Sequence, residues 1–294
     1  MNDRPDNWLA SLCDRRTSMG LADFGILLAL VFSIVALVPN ESRSAPVGVR
    51  FPEGLTHGFL QVRSLAGEII GHGELTQIVK EGGVAESRLV FRFKDGSLHD
   101  EKIAFSQHRV FTLIRYQLTQ RGPSFPDQMD VVIDRGTSTY EVRSRTQADK
   151  VDKVLAGEID VPNDAYNGMI VTALLNLPKG ANETVNIFAF LPEPTAISLE
   201  LAFVGEQTIR VADQPRRAWR YAFKPDIGPI KKLLGTLLGK LPSDLHYNCY
   251  ILADDVPSFV RFDGPLQLMG PVVSIELTSP QVAIKTEDRT HVPR

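Results

Sequence analysis

His99-Asp100-Glu101 is the one compact grouping of a histidine with carboxylates in this sequence, and it follows closely on an Asp95-Gly96 turn. If the segment is a strand, His99 and Glu101 point to one face and Asp100 to the other. Such a pair offers an acid and a base, or two metal ligands. Two ligands are too few for zinc without remote partners. Charged groups beside a turn are usually solvated, so the expectation here is a hairpin tip in water. His72 stands between Gly71 and Gly73, where a ligand could approach the backbone closely. Glycines inside a strand pattern more often mark a bulge. Arg217, Trp219 and Tyr221 alternate on one strand face, which allows a cation–π contact.

Other catalytic patterns are missing. There is no Gly-x-Ser-x-Gly elbow, no phosphate loop, no dinucleotide fingerprint and no His-Glu-x-x-His, so neither catalytic residues nor a cofactor or metal are assigned. Asp254-Asp255 and Glu193 lie beside prolines without the spacing of a glycosidase pair. The two cysteines, Cys13 and Cys249, lie on either side of a long apolar run, which excludes a disulfide framework; Cys249 falls in a strand pattern and reads as a buried thiol. A net charge of −3 over 294 residues, without a long basic run, argues against a nucleic-acid partner.

Most of the elements that must carry these residues are strands. Leu89, Phe91 and Phe93 alternate with Arg88, Val90 and Arg92, and Asp95-Gly96 turns the chain into a strand with Ile103 and Phe105 inward. A longer strand from Val110 stops at Gly122-Pro123, and 128–133 and 139–145 form another pair. Strands resume at 185–191, 197–203, 208–211 and 217–223, and again at 246–253, 258–262 and 272–277. Strand-turn-strand spacing predicts antiparallel sheet.

Two helices interrupt it. Tyr166, Met169, Ile170, Ala173, Leu174 and Leu177 form one helical face, with Asn163 or Asp164 as cap and Pro178 with Gly180 at the end. Ile230, Leu233, Leu234, Leu237, Leu238 and Leu241 form a second, between Pro229 and Pro242. Its interior Gly235 and Gly239 each cost about 1 kcal/mol relative to alanine, so contacts with a sheet must hold it. Lys231, Lys232 and Lys240 beside the leucine stripe admit a membrane-facing reading; core cover is the expectation adopted.

Phe24–Val38 carries no charge, follows Arg15-Arg16 and is followed by a polar, proline-flanked exit. It reads as a secretory signal or a single transmembrane anchor, with the bulk of the chain outside the cytoplasm. The expected organisation is a cytoplasmic segment at 1–20, a signal or anchor at 21–39, a linker at 40–55, an exported β-rich domain at 56–280 with blocks at 56–145 and 182–278, and a loose tail at 281–294. The anticipated setting is the bacterial envelope, with the membrane as partner through 21–38 if that segment is not cleaved.

Across 56–278 this arrangement resembles the bacterial envelope half-barrels that carry lipids and lipoproteins, the LolA/LolB-like group. The Asp-Gly hairpin followed by Gly122-Pro-Ser-Phe-Pro126 is also similar to exported β-rich bacterial proteins. The resemblance implies a curved sheet whose concave face holds an apolar ligand. The fold expected is therefore mainly β (α+β): a large curved antiparallel sheet, half-barrel or barrel, covered by two amphipathic helices. The function expected is non-enzymatic binding of a lipid, another apolar ligand or a protein partner, with Leu233, Leu234, Leu237, Leu238, Trp219 and Tyr221 as ligand-binding candidates. A hydrolase using His72 or His99 with a remote carboxylate, and a passive anchored scaffold, are the alternatives.

Overall fold

In the computed structural model the first eight strands form a meander whose side chains alternate between two faces. They are β1 (Thr56–Arg63), β2 (Ile69–Val79), β3 (Val84–Phe93), β4 (Leu98–Gln107), β5 (Phe111–Arg121), β6 (Asp127–Asp134), β7 (Thr139–Thr146) and β8 (Lys153–Glu158). A crossing segment then carries the helix α1 (Ile170–Asn176). Six strands follow: β9 (Glu183–Leu191), β10 (Glu193–Val211), β11 (Gln214–Pro225), β12 (Tyr247–Leu252), β13 (Ser258–Pro265) and β14 (Val272–Thr278). The structure describes residues 45–125, 127–146, 151–191, 193–211, 214–228, 247–266 and 270–278.

These strands make one antiparallel sheet in the order β8-β7-β6-β5-β4-β3-β2-β1-β14-β13-β12-β11-β10-β9. The first strand is therefore central, and the chain leaves one edge at β8 to re-enter at the opposite edge, β9. The sheet is folded over on itself. Tyr116 on β5 and Phe190 on β9 are ten strand positions apart, about 48 Å in a flat sheet at ~4.8 Å per strand. Yet their rings stack with centroids 5.9 Å apart. The main core draws Phe111, Leu113 and Ile133 from one arm together with Val185, Leu201 and Tyr221 from the other, and α1 contributes Ala173 and Leu174. A second cluster, Leu60, Val62, Phe91, Phe93, Phe125, Val273 and Ile275, fills the bend around β1 and β14.

The crossing segment is what the two arms share. Asn186 on β9 donates its amide to Asp164 O (2.9 Å), and Tyr166 donates its own to Asn186 O (2.8 Å), so residues 164–166 cover the outer edge of β9. The Asn167 side chain continues this, accepting from Phe188 N (2.8 Å) and donating to Phe188 O (3.0 Å). On the other arm, the Arg135 guanidinium donates to the carbonyls of Leu113, Val161 and Pro162. The buried Tyr166 hydroxyl accepts from Val47 N (2.7 Å) and donates to Phe111 O (3.2 Å). Covering an edge in this way removes a row of unpaired backbone groups.

Several expectations need correction. The sheet has two ends, β8 and β9, so it is not closed into a barrel. Only one helix covers it among the described residues; the second, expected at 230–241, lies outside them, as does the leader at 21–39. No helix among the described residues is long and apolar enough to cross a membrane, so the membrane partnership expected through 21–38 finds no support. The described helix is also shorter than its periodicity suggests. Gly168, at φ +70°, breaks the pattern, and residues 164–166 give their backbone groups to β9 instead of to a helix. Gly205 does not end a strand as expected: β10 runs through it with a register shift between Phe203 and Gly205. The short strand β8, not among the strands expected, pairs along its length with β7.

Because the Tyr166 hydroxyl links the N-terminal residues, β5 and the crossing segment, Tyr166→Phe removes two hydrogen bonds and orphans a buried amide. Urea unfolding should show a loss of roughly 1–3 kcal/mol. An unchanged midpoint would mean that this staple does not hold the arms.

Candidate functional site

Side chains that alternate inward on β4 are His99, Glu101, Ile103 and Phe105. Ile103 is 7% exposed and Phe105 fully buried, and this apolar pair sets the phase for the whole strand. His99 and Glu101 are therefore carried to the inner face, His99 buried and Glu101 half-buried. The expected solvated tip is overturned: His99 is only 4% exposed, lying against Phe91 and Phe125. Asp100 faces outward, where Arg88 binds both its carboxylate oxygens at 2.9 and 2.6 Å and holds its carboxyl below the usual range.

The nearby turn explains the Gly-Pro-Ser-Phe string. Asp95 accepts from Ser97 N and Ser124 Oγ, and Ser97 Oγ accepts from Ser124 N. Gly122, at φ +102°, passes so close to Ser97 that a side chain there would collide with it. This lays Phe125 edge-on against Phe93 at 5.8 Å, closing the core beside His99.

Glu101 lines a cavity of about 330 Å³ between the two arms. One wall is β3 to β6, with Leu89, Leu118 and Met129; the other is β9 to β13, with Ile187, Phe190, Leu199, Phe223 and Phe262. Ile170 and Val171 of α1, with Asn167 and Gly168, form its floor. Gly168 is required there. A Cβ would sit 2.7 Å from Ile103 Cγ2 and 3.3 Å from Glu101 Oε2, so only glycine lets the crossing segment pass over the carboxyl.

The polar groups are few and unusual. Glu101 Oε1 accepts from the Tyr116 hydroxyl at 2.9 Å. Burial pushes the Glu101 carboxyl up to about 7, and the Tyr116 bond only partly offsets this. Burial lowers His99 to about 4, against the pull of the Asp100 charge, so the imidazole is neutral near pH 7. Its Nδ1 lies 3.0 Å from Gln120 Nε2. Asp127, also on the wall, is raised by burial, as is Tyr247, to about 12. No Ser, Thr or Cys lines the cavity among the described residues, and no cluster among them could hold a metal ion.

The sequence candidates are distributed differently. Leu233, Leu234, Leu237 and Leu238 lie outside the described residues. Trp219 and Tyr221 are buried in the main core and do not form part of the cavity wall. Trp219 donates to Glu206 at 3.3 Å, and Tyr221 packs edge-on against Phe203. His72 is exposed on the outer face, paired in regular register with Gln61 and Arg92. Its glycine neighbours serve the inner face instead, Gly73 by making room for the Phe91 ring. Cys249 is a buried thiol, its pKa pushed up by burial. The sequence reading did not pick out Tyr116, Asn167 or Gly168. For Glu101 the signal was present, in its shared phase with Ile103 and Phe105.

The raised Glu101 carboxyl has a definite thermodynamic sign. Its folded pKa lies above the unfolded value near 4.5, so the folded state holds the proton longer. Stability is therefore lost as pH rises from about 4.5 through 7. Glu101→Gln should be nearly neutral at pH 5 and gain on the order of 2–3 kcal/mol over the wild type at pH 8, measured by urea unfolding. Equal effects at both pH values would show that the carboxyl is not desolvated.

No protein-family model, no curated protein and no solved structure matches the chain, so its functional reading rests on the geometry of this cavity.

Proposed function

We propose that this protein binds a small, largely apolar molecule in the cavity between its two sheet arms, without transforming it. The observation that carries the reading is the cavity itself: about 330 Å³, walled mainly by aromatic and aliphatic side chains, with a few polar groups gathered around Glu101. Scaling from a ~150 Å³ cavity that accepts benzene, this volume suits a ligand of about a dozen non-hydrogen atoms. That is smaller than a two-chain lipid. The charged flank and apolar run at 15–38 support an extracytoplasmic setting as part of the same reading.

One observation favours a second reading. A carboxyl poised near 7 in a cavity is suited to proton transfer, which would make Glu101 a general base. A covalent hydrolase is less well supported, because the described wall offers no hydroxyl or thiol nucleophile other than Tyr116 and Tyr247 phenols. His99 faces Gln120, not a carboxylate.

Binding of 1-octanol, followed by isothermal titration calorimetry, tests the proposal. The wild type should bind it, and Ala189→Phe, which places a ring in the cavity from β9, should weaken binding at least tenfold while remaining folded by circular dichroism. A wild type that binds no small apolar probe and carries none through detergent-free purification would overturn the reading. A probe recovered chemically altered would favour the second.

A further inference from the structure

We propose that the natural occupant of this cavity is a small organic cation, an apolar amine whose ammonium group seats on Glu101 Oε2. This rests on the binding reading above and adds the charge and the contact atom of the ligand. The geometry is one-sided. Glu101 Oε1 is taken by the Tyr116 hydroxyl, whereas Oε2 has no hydrogen-bond donor among the described residues. The backbone of Gly168 lies close against the same carboxyl where both line the cavity.

The charge balance of the wall points the same way. Its two carboxyls are Glu101 and Asp127, and neither lysine nor arginine lines it among the described residues. Three arginines of β3 and β5 are engaged elsewhere: Arg88 with Asp100, Arg121 with Asp130 and Arg115 with Asp134. The other titratable groups on the wall are His99 of β4, Tyr116 of β5 and Tyr247 of β12, all uncharged at pH 7. α1 and the strands β9, β10, β11 and β13 present no charge to it. A carboxylate or phosphate ligand would meet like charge and find no cation. An ammonium group supplies the counter-charge that the carboxyl lacks, and a charge-assisted hydrogen bond forms best where water is excluded. The aromatic rings of Tyr116, Phe190, Phe223 and Phe262 offer the faces on which organic cations sit.

Three probes of one chain length separate the outcomes: octylamine, 1-octanol and octanoate, each titrated calorimetrically into the wild type and Glu101→Gln. At pH 8 octylamine should bind at least tenfold tighter than octanoate. Its affinity should rise with pH as Glu101 ionises, by up to roughly 30-fold between pH 5.5 and 8 if only the carboxylate form binds. Glu101→Gln should abolish that rise and weaken octylamine at least fivefold. If octanol binds but octylamine shows no preference and no pH dependence, the cation proposal fails while the binding reading stands. If octanoate binds tightest, the proposal fails in sign. If none of the three binds, the binding reading itself is wrong. The wild-type pH profile keeps the test decisive should Glu101→Gln not fold.

Discussion

Everything in this fold depends on the chain's passage from one edge of a fourteen-stranded sheet to the other. A flat sheet of that width would leave its inner face in water and its two edges unpaired. The crossing segment buries the inner face and covers the β9 edge. Residues 164–167 pair with Asn186 and Phe188 on the outer edge of β9, while Arg135 and Tyr166 tie the same segment to β5 and to the turn after β6. The arms are thereby brought into contact, and aromatic and aliphatic side chains from both become one core. At the far end of the crossing, Asn176 accepts from the amides of Arg50 and Phe51, and Arg50 donates to Leu177 O, which closes the C-terminal end of α1.

The folding-over also creates the cavity and decides its chemistry. Two sheet arms meet over a helix too short to fill the space between them, and the residual hollow takes its lining from whatever the strand phase places inward. On β4 that includes a carboxyl. Stability alone gives no reason to keep an ionisable group there, since an apolar side chain would fill the site without the desolvation cost. A group that opposes folding is nonetheless held in position by Tyr116, with Gly168 packed closely against it, and this is the arrangement on which the binding proposal rests.

Much of this was legible in the sequence, and the misses have physical causes. The alternation of Leu89, Phe91 and Phe93, and that of Ile103 and Phe105, gave the sheet and its inner face because burial on one side imposes a period of two. The same phase, extended back to His99 and Glu101, already placed them inside; the proximity of a turn argued otherwise, and the phase prevailed. The start of α1 was hidden because Tyr166 and Met169 match a helical face even though Gly168 takes the chain out of it. The sheet's fold-over was not legible at all. It depends on contacts such as Tyr116 with Phe190, between residues 74 positions apart in the chain, which no local pattern encodes.

The central claim is that a carboxyl without a counter-cation sits in an apolar cavity made by the meeting of the two arms. The most direct measurement is the titration of Glu101 itself, by carbon-13 NMR of side-chain-labelled glutamate with its resonance assigned from Glu101→Gln. The account predicts a midpoint near 7, well above the other glutamates, that moves downward when octylamine occupies the cavity. A midpoint in the ordinary carboxylate range near 4.5, unmoved by ligand, would place Glu101 in water and contradict the account at its base.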